Sequence, residues 1–215
     1  MLSAAAIVDL HDKLTSAWHE RDGKGASVAT PGDEDPSSHA ESEFLASVAR
    51  QHRANFDLWH IEDEARAPGA TDAALADVKR RIDTTNQLRN DLAEALDHAL
   101  MEWLTRQGQP NMSAPLHSES PGLMIDRLSI QALKIYHTWE ETERAGAPAG
   151  HNERNRERLA ILEEQRRDLA HCLETLWGEV LAGTRRFKLY RQLKMYNDPS
   201  LNPAIYGKKG RNGET

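Results

Sequence analysis

TDAALADVKRRIDTTNQLRNDLAEALDHALMEW, residues 71–103, decides the fold class. Its positions 75, 78, 82, 85, 89, 92, 96, 99 and 103 alternate three and four apart and read Leu, Val, Ile, Thr, Arg, Leu, Leu, Ala, Trp. That spacing is one face of a long α-helix, and Thr71 or Asp72 is placed to cap its N-terminus. On one side, GQPNMSAP (108–115) breaks the chain, and Ser120-Pro121 opens the next helix with a cap and an N1 proline. On the other, helical patterning dominates from Glu41 onward, and strand-like alternation is hard to find. Ile7, Leu10, Leu14 and Trp18 space as a short amphipathic helix, followed by a Gly/Pro/Ser-rich stretch without period. The expected organisation is an N-terminal helix (1–20), a flexible linker (21–40), a helical-bundle domain (41–207) and a disordered tail (208–215).

An internal repeat organises the bundle. Shifted by 77, WHIEDEARAPGA (59–70) lies on YHTWEETERAGA (136–147), and RNDLAEAL (89–96) lies on RRDLAHCL (166–173). His60 thereby matches His137, Glu64 matches Glu141, and Arg81 matches Arg158. The predicted fold is an all-α bundle of two related helical hairpins, with the N-terminal helix and a C-terminal clasp added. Arg89 and Arg166 fall in equivalent core slots, which implies semi-buried, paired guanidinium groups. If the hairpins turn near Gly69 and Gly146, His60 lies beside Arg81 and His137 beside Arg158. The same fold-back brings Asp126 and Arg127 level with Arg166 and Asp168.

Composition narrows the function classes. The single cysteine, Cys172, excludes an intrachain disulfide and fits a reducing compartment; it reads as a core residue. No basic leader precedes the N-terminal helix and no stretch reaches transmembrane length, so a cytoplasmic protein is expected. From Thr184 on, eight Lys or Arg face Asp198 and Glu214: +6 within a net charge of −7, leaving −13 on the body. Docking of this tail on its own acidic body is favoured over a nucleic-acid arm, because an acidic body repels phosphate backbones.

Two polar loci carry the candidate chemistry. His60 with Asp63 and Glu64, and His137 with Glu140 and Glu141, have carboxylates about one turn away, as helical metal sites do. His60, Asp63, His137 and Glu140 are therefore the candidate catalytic residues, although no complete di-metal ligand set is present and the sequence leaves both metal and cofactor open. Arg89, Asp91, Asp126, Arg127, Lys134, Arg166, Asp168, Lys194, Asn197 and Asp198 form a candidate ligand-binding set. Their cations suit phosphate or carboxylate, and the blander reading is that they set helix register. Ser129 has no histidine on its own turn, which leaves it without a local general base.

Five stretches resemble a bacterial family known only as a domain of unknown function. They are WHIED (59–63), KRRIDTTNQLRND (79–91), ESPGLMIDRLSIQALKIYH (119–137), LEEQRRDL (162–169) and KLYRQLKMYNDPSLNPAIYG (188–207). The resemblance covers about Asn55 to Gly207 and departs at Asn90 and at Gly122-Leu123-Met124. It implies an all-helical cytoplasmic protein with no assigned reaction, whose relatives often sit near glycosyltransferase genes. It also implies that the closing motif, with Tyr190, Tyr196 and Tyr206, belongs to the domain as a clasp.

Three expectations follow from the sequence. The first is an accessory or binding protein for an anionic ligand, such as a phosphate or nucleotide sugar, or for a glycosyltransferase. The second is an enzyme, metal-dependent or not, on phosphorylated or nucleotide-linked substrates with His60 or His137 as acid/base or metal ligand. The third is a scaffold whose charges only set register. A homodimer is a further expectation, from the tryptophan-rich helix ends at Trp103 and Trp177.

Overall fold

The computed structural model describes residues 2–20, 36–191 and 200–203. It holds α1 (Ala4–Glu20), α2 (Pro36–Glu64), α3 (Asp72–Arg106), α4 (Pro121–Glu143) and α5 (His151–Leu181). Among the described residues the only extended pairing is one parallel bridge, Leu116 to Arg186. α2 begins at Pro36, inside the expected linker, because proline is well placed in a first helical turn. Lys194, Asn197, Asp198, Tyr196 and Tyr206 lie outside the described residues, as do 21–35 of the expected linker and the tail 208–215.

The repeat corresponds to two hairpins, α2–α3 and α4–α5. Each tip contains a glycine at positive φ, Gly69 at +81° and Gly146 at +70°, a region that side chains with a Cβ avoid. Thr71 caps α3 by accepting the Ala74 amide at 3.2 Å. α4 is central, packing on α1, α2, α3 and α5, and it buries Ile125, Leu128 and Leu133.

The buried face of α3 differs from the stripe read off its sequence. Val78 apart, burial is confined to the second half, at Ala93, Leu96, Asp97, Leu100 and Leu104, while Leu75 and Leu88 are exposed. A stripe of average spacing 3.5 drifts about 20° per heptad around a straight helix. By the fourth heptad the inward face has moved to the residues beside positions 92, 99 and 103.

Where α3 meets α4 the backbones nearly touch. A Cβ on Gly122 would overlap the Ala93 carbonyl oxygen and lie 2.8 Å from Asp97 Cγ. The Asp97 carboxylate accepts the Gly122 amide at 2.6 Å and the Ser120 hydroxyl. An aspartate on α3 thus caps α4 from outside, where Ser120 itself makes no side-chain cap bond.

α1 docks with Ala4, Ile7, His11, Leu14, Thr15 and Trp18 inward, so that His11 takes a place in the buried face that the sequence stripe gave to Leu10. After α5 the chain turns at Gly183 and buries Phe187. The His117 amide donates to the Arg186 carbonyl at 2.7 Å, and the Arg186 amide donates to that of Pro115. Of the expected clasp, 188–207, only 188–191 and 200–203 are described, and Tyr190 there is exposed. Trp103 and Trp177 pack against each other with ring centres 5.8 Å apart, so the side chains that suggested a dimer surface meet within one chain. Cys172 is exposed rather than in the core, because α5 buries the neighbouring face of Leu169, Leu173 and Leu176.

Candidate metal centre

Three helices carry polar residues eight positions apart: His11 and His19 on α1, His52 and His60 on α2, Ser129 and His137 on α4. Eight residues rise ~12 Å along a helix. The first member of each pair falls in a buried layer and the second at the partly exposed rim. The repeat shift of 77 relates His52 to Ser129 as it relates His60 to His137, so repeat-equivalent residues meet across the α2–α4 contact at both levels.

At the rim, His19, His60 and His137 converge. Ring centres are 5.3 Å apart for His19–His60, 5.0 Å for His19–His137 and 6.0 Å for His60–His137. One nitrogen from each lies within 4.8 Å of the others. The remaining ring nitrogens are pinned. His19 Nδ1 bonds the Thr15 carbonyl at 2.7 Å, His60 Nδ1 the Phe56 carbonyl at 2.8 Å, and His137 Nδ1 a Glu140 carboxylate oxygen at 2.9 Å. Carbonyl and carboxylate oxygens only accept, so each Nδ1 carries the proton and each Nε2 presents a lone pair. The buried Nε2 atoms of His19 and His137 have no hydrogen-bond partner.

Aromatic rings fix the imidazoles. Tyr136 stacks on His19 at 4.2 Å, Trp59 stacks on His137 at 4.8 Å, and Phe56 packs on His60 at 4.3 Å. Burial lowers the pKa of His19 against the opposing effect of its bond to Thr15, which favours the neutral, ligating form. A groove of about 260 Å³ runs between α1 and α4, lined by Asp12, Thr15, Ser16, Ala132, Ile135, Tyr136 and Trp139. A second hollow on α1 extends from Asp12 to Glu20. Tyr136 joins the groove to the histidines.

The buried layer is a continuous polar network. His52 Nδ1 is 2.7 Å from the Ser129 hydroxyl and its Nε2 is 2.9 Å from the Thr15 hydroxyl. Thr15 donates its proton to the His11 carbonyl, so it accepts from His52 Nε2, and Ser129 donates to Nδ1. Burial holds His52 neutral, its pKa lowered to about 3. Asn55 donates to both Ser129 and Asp126. Asp126 also accepts Gln51 at 2.6 Å and both Arg89 Nε and Nη2, at 2.8 and 2.6 Å. His11 stacks on His52 at 4.5 Å, yet it is fully buried with neither ring nitrogen bonded.

The sequence candidates therefore separate. His60, His137 and Glu140 come together, whereas Asp63 lies outside them at 3.6 Å from Arg66 on the surface. Arg89 and Arg166 are semi-buried ion pairs, as their equivalent slots implied, but with unrelated partners: Asp126 on α4 and Asp12 on α1. Arg127 faces Glu119, Asp91 accepts Gln87, and Lys134 and Asp168 are exposed. The layer expected to join Asp126 and Arg127 to Arg166 and Asp168 is thus divided, because Arg166 turns to Asp12 on α1 and Arg127 to Glu119. Arg81 pairs bidentately with Glu64, one turn beyond His60 on α2, and Arg158 donates to Asn155 on its own helix. Sequence reading missed His19, His52 and the Ser129–His52 contact. The signal was there in the recurrence of polar residues eight apart on three helices.

A family described as "Protein of unknown function (DUF4254)" matches residues 45–189. The chain belongs to this family. Within the DUF4254 match lie His60 and His137; His19, on α1, precedes it. No curated protein and no solved structure matches the chain. No described helix is long and apolar enough to cross a membrane.

Proposed function

We propose that the protein is a metal-dependent enzyme whose centre is a divalent transition-metal ion, of the zinc class, held by His19, His60 and His137 through their Nε2 atoms. The observation that supports it is the set of three convergent imidazoles whose Nδ1 protons are each committed to an oxygen. That is the outer shell by which metal-ligating histidines are oriented and made more basic. Three protein ligands leave a coordination position for water or substrate. The bound ion would lower the pKa of a coordinated water and polarise a phosphoryl or carbonyl oxygen. Neutral imidazoles leave the ion its full double charge, which favours phosphorylated or nucleotide-linked substrates entering along the α1–α4 groove. The alternative, an accessory protein for an anionic ligand or a glycosyltransferase, drew on a cationic cluster. Arg89, Arg127 and Arg166 each face a carboxylate instead, so the ion-centred reading has the better support.

The test is titration of the metal-free chain with Zn²⁺ and Co²⁺, then a turnover screen on nucleotide sugars and phosphoesters. One ion per chain is expected, with affinity at least ~100-fold weaker in His60→Ala or His137→Ala, in line with what even outer-shell losses cost. Unchanged affinity in those variants overturns the centre. Binding without turnover leaves a metal-binding module and overturns the enzyme.

A further inference from the structure

We infer that metal binding at this centre and docking of α1 are one coupled equilibrium, so that α1 is a metal-dependent latch on the bundle; this rests on the three-histidine reading above. Two of the three ligands stand on α2 and α4, which the His52–Ser129 and Gln51–Asp126 bonds already hold together without any ion. The third, His19, sits on the second-last residue of α1. An ion that requires His19 therefore binds only the docked form, and by linkage it stabilises docking by the free energy of its own binding.

The docking surface of α1 combines an apolar face with few polar bonds. It buries Ala4, Ile7, Leu14 and Trp18, and its polar anchors are the Arg166–Asp12 pair, the Ala4 amide on Glu174, and Thr15 against His52. Against these stands His11, fully enclosed with both ring nitrogens unbonded, a buried polar group whose hydration is lost without replacement. Undocking α1 returns that imidazole to water. It also opens the wall of the groove formed by Asp12, Thr15 and Ser16, so the substrate site and the metal site are assembled by the same movement.

Amide hydrogen exchange followed by mass spectrometry tests this on the full chain, with and without Zn²⁺. At free zinc about 100 times the dissociation constant, exchange through opening of α1 slows roughly 100-fold. The peptide from α3 residues 72–92 exposes most of its length and holds no ligand, so its local exchange stays unchanged. In His19→Ala the zinc response of α1 disappears, read against that variant's own metal-free exchange rate, since the substitution also removes the stack on Tyr136. If zinc binds with one-to-one stoichiometry but α1 exchange is unmoved, the latch is overturned and the centre stands. If His19→Ala binds zinc as tightly as the unaltered chain, the latch is likewise overturned. If zinc does not bind at all, the three-histidine reading fails and takes the latch with it.

Discussion

The α3–α4 contact is set at the scale of single atoms. Gly122 has no room for a methyl group, because its neighbours are backbone on one side and a bonded carboxylate on the other. Neither can swing aside as a flexible side chain would. Gly122→Ala is expected to destabilise by about 3 kcal/mol, the upper range for overpacking, measured as a shift of the urea midpoint at unchanged slope. Arg89→Met is expected to cost a similar ~3 kcal/mol, since it leaves Asp126 buried and charged with only amide donors. Asp126→Asn in that background should recover part of the loss; no recovery would mean that the pair does not carry the effect. Arg89 was legible in the sequence as a polar member of a core-facing stripe, and Asp126 as a charged residue of the ligand-binding set or of helix register. Their partnership was not, because helical spacing says which way a side chain points and nothing of which helix it meets.

At the scale of elements, the α1–α2 interface couples stability to pH. The pKa of His52 is lowered to about 3, and burial first, with His52 and Arg166 nearby, lowers that of His11 as well. Between those values and the ~6.5 of an unfolded histidine, the unfolded chain binds more protons than the folded one. Stability is therefore full above about pH 6.5 and falls as the pH drops, by ~1.4 kcal/mol per pH unit per histidine. Asp97 acts in the opposite sense. Its carboxyl is raised to about 6, by burial first and against the Ser120 and Gly122 bonds, so between ~4 and 6 the folded chain binds the extra proton. Its contribution falls as the pH rises through that window. Urea unfolding from pH 7 to 4.5 should show a steeper acid loss in Asp97→Asn and a shallower one in His52→Gln. Identical slopes would rule out both groups as its source. The helices themselves were legible from the 3.6-residue period and the tip glycines. α1 looked like a simple apolar stripe, and its histidine face went unseen because His11 and His19 both lie along one side of that stripe rather than interrupting it.

At the scale of the molecule, the hairpin repeat does more than build a core. The 77-residue shift relates His60 to His137 and His52 to Ser129, so the repeat places equivalent positions opposite one another along the α2–α4 seam. Two-fold pairing alone yields two imidazoles, and α1 supplies a third from outside the repeat. That is why repeat analysis could find His60 and His137 and not His19. A centre built from three separate helices ties α1 to both hairpins, so an ion there should stabilise the whole bundle. At 100 times the dissociation constant the gain is ~2.7 kcal/mol, and for a chain of this size each kcal/mol moves the midpoint by roughly 2–4 °C. Calorimetry of the chelator-treated chain, before and after one equivalent plus excess Zn²⁺, should therefore show Tm rising by about 5–10 °C. The combined His19→Ala, His60→Ala, His137→Ala variant should melt at one temperature in both conditions. An unaltered chain that melts identically with and without zinc would remove the metal from its architecture and leave the rim histidines as an aromatic cluster.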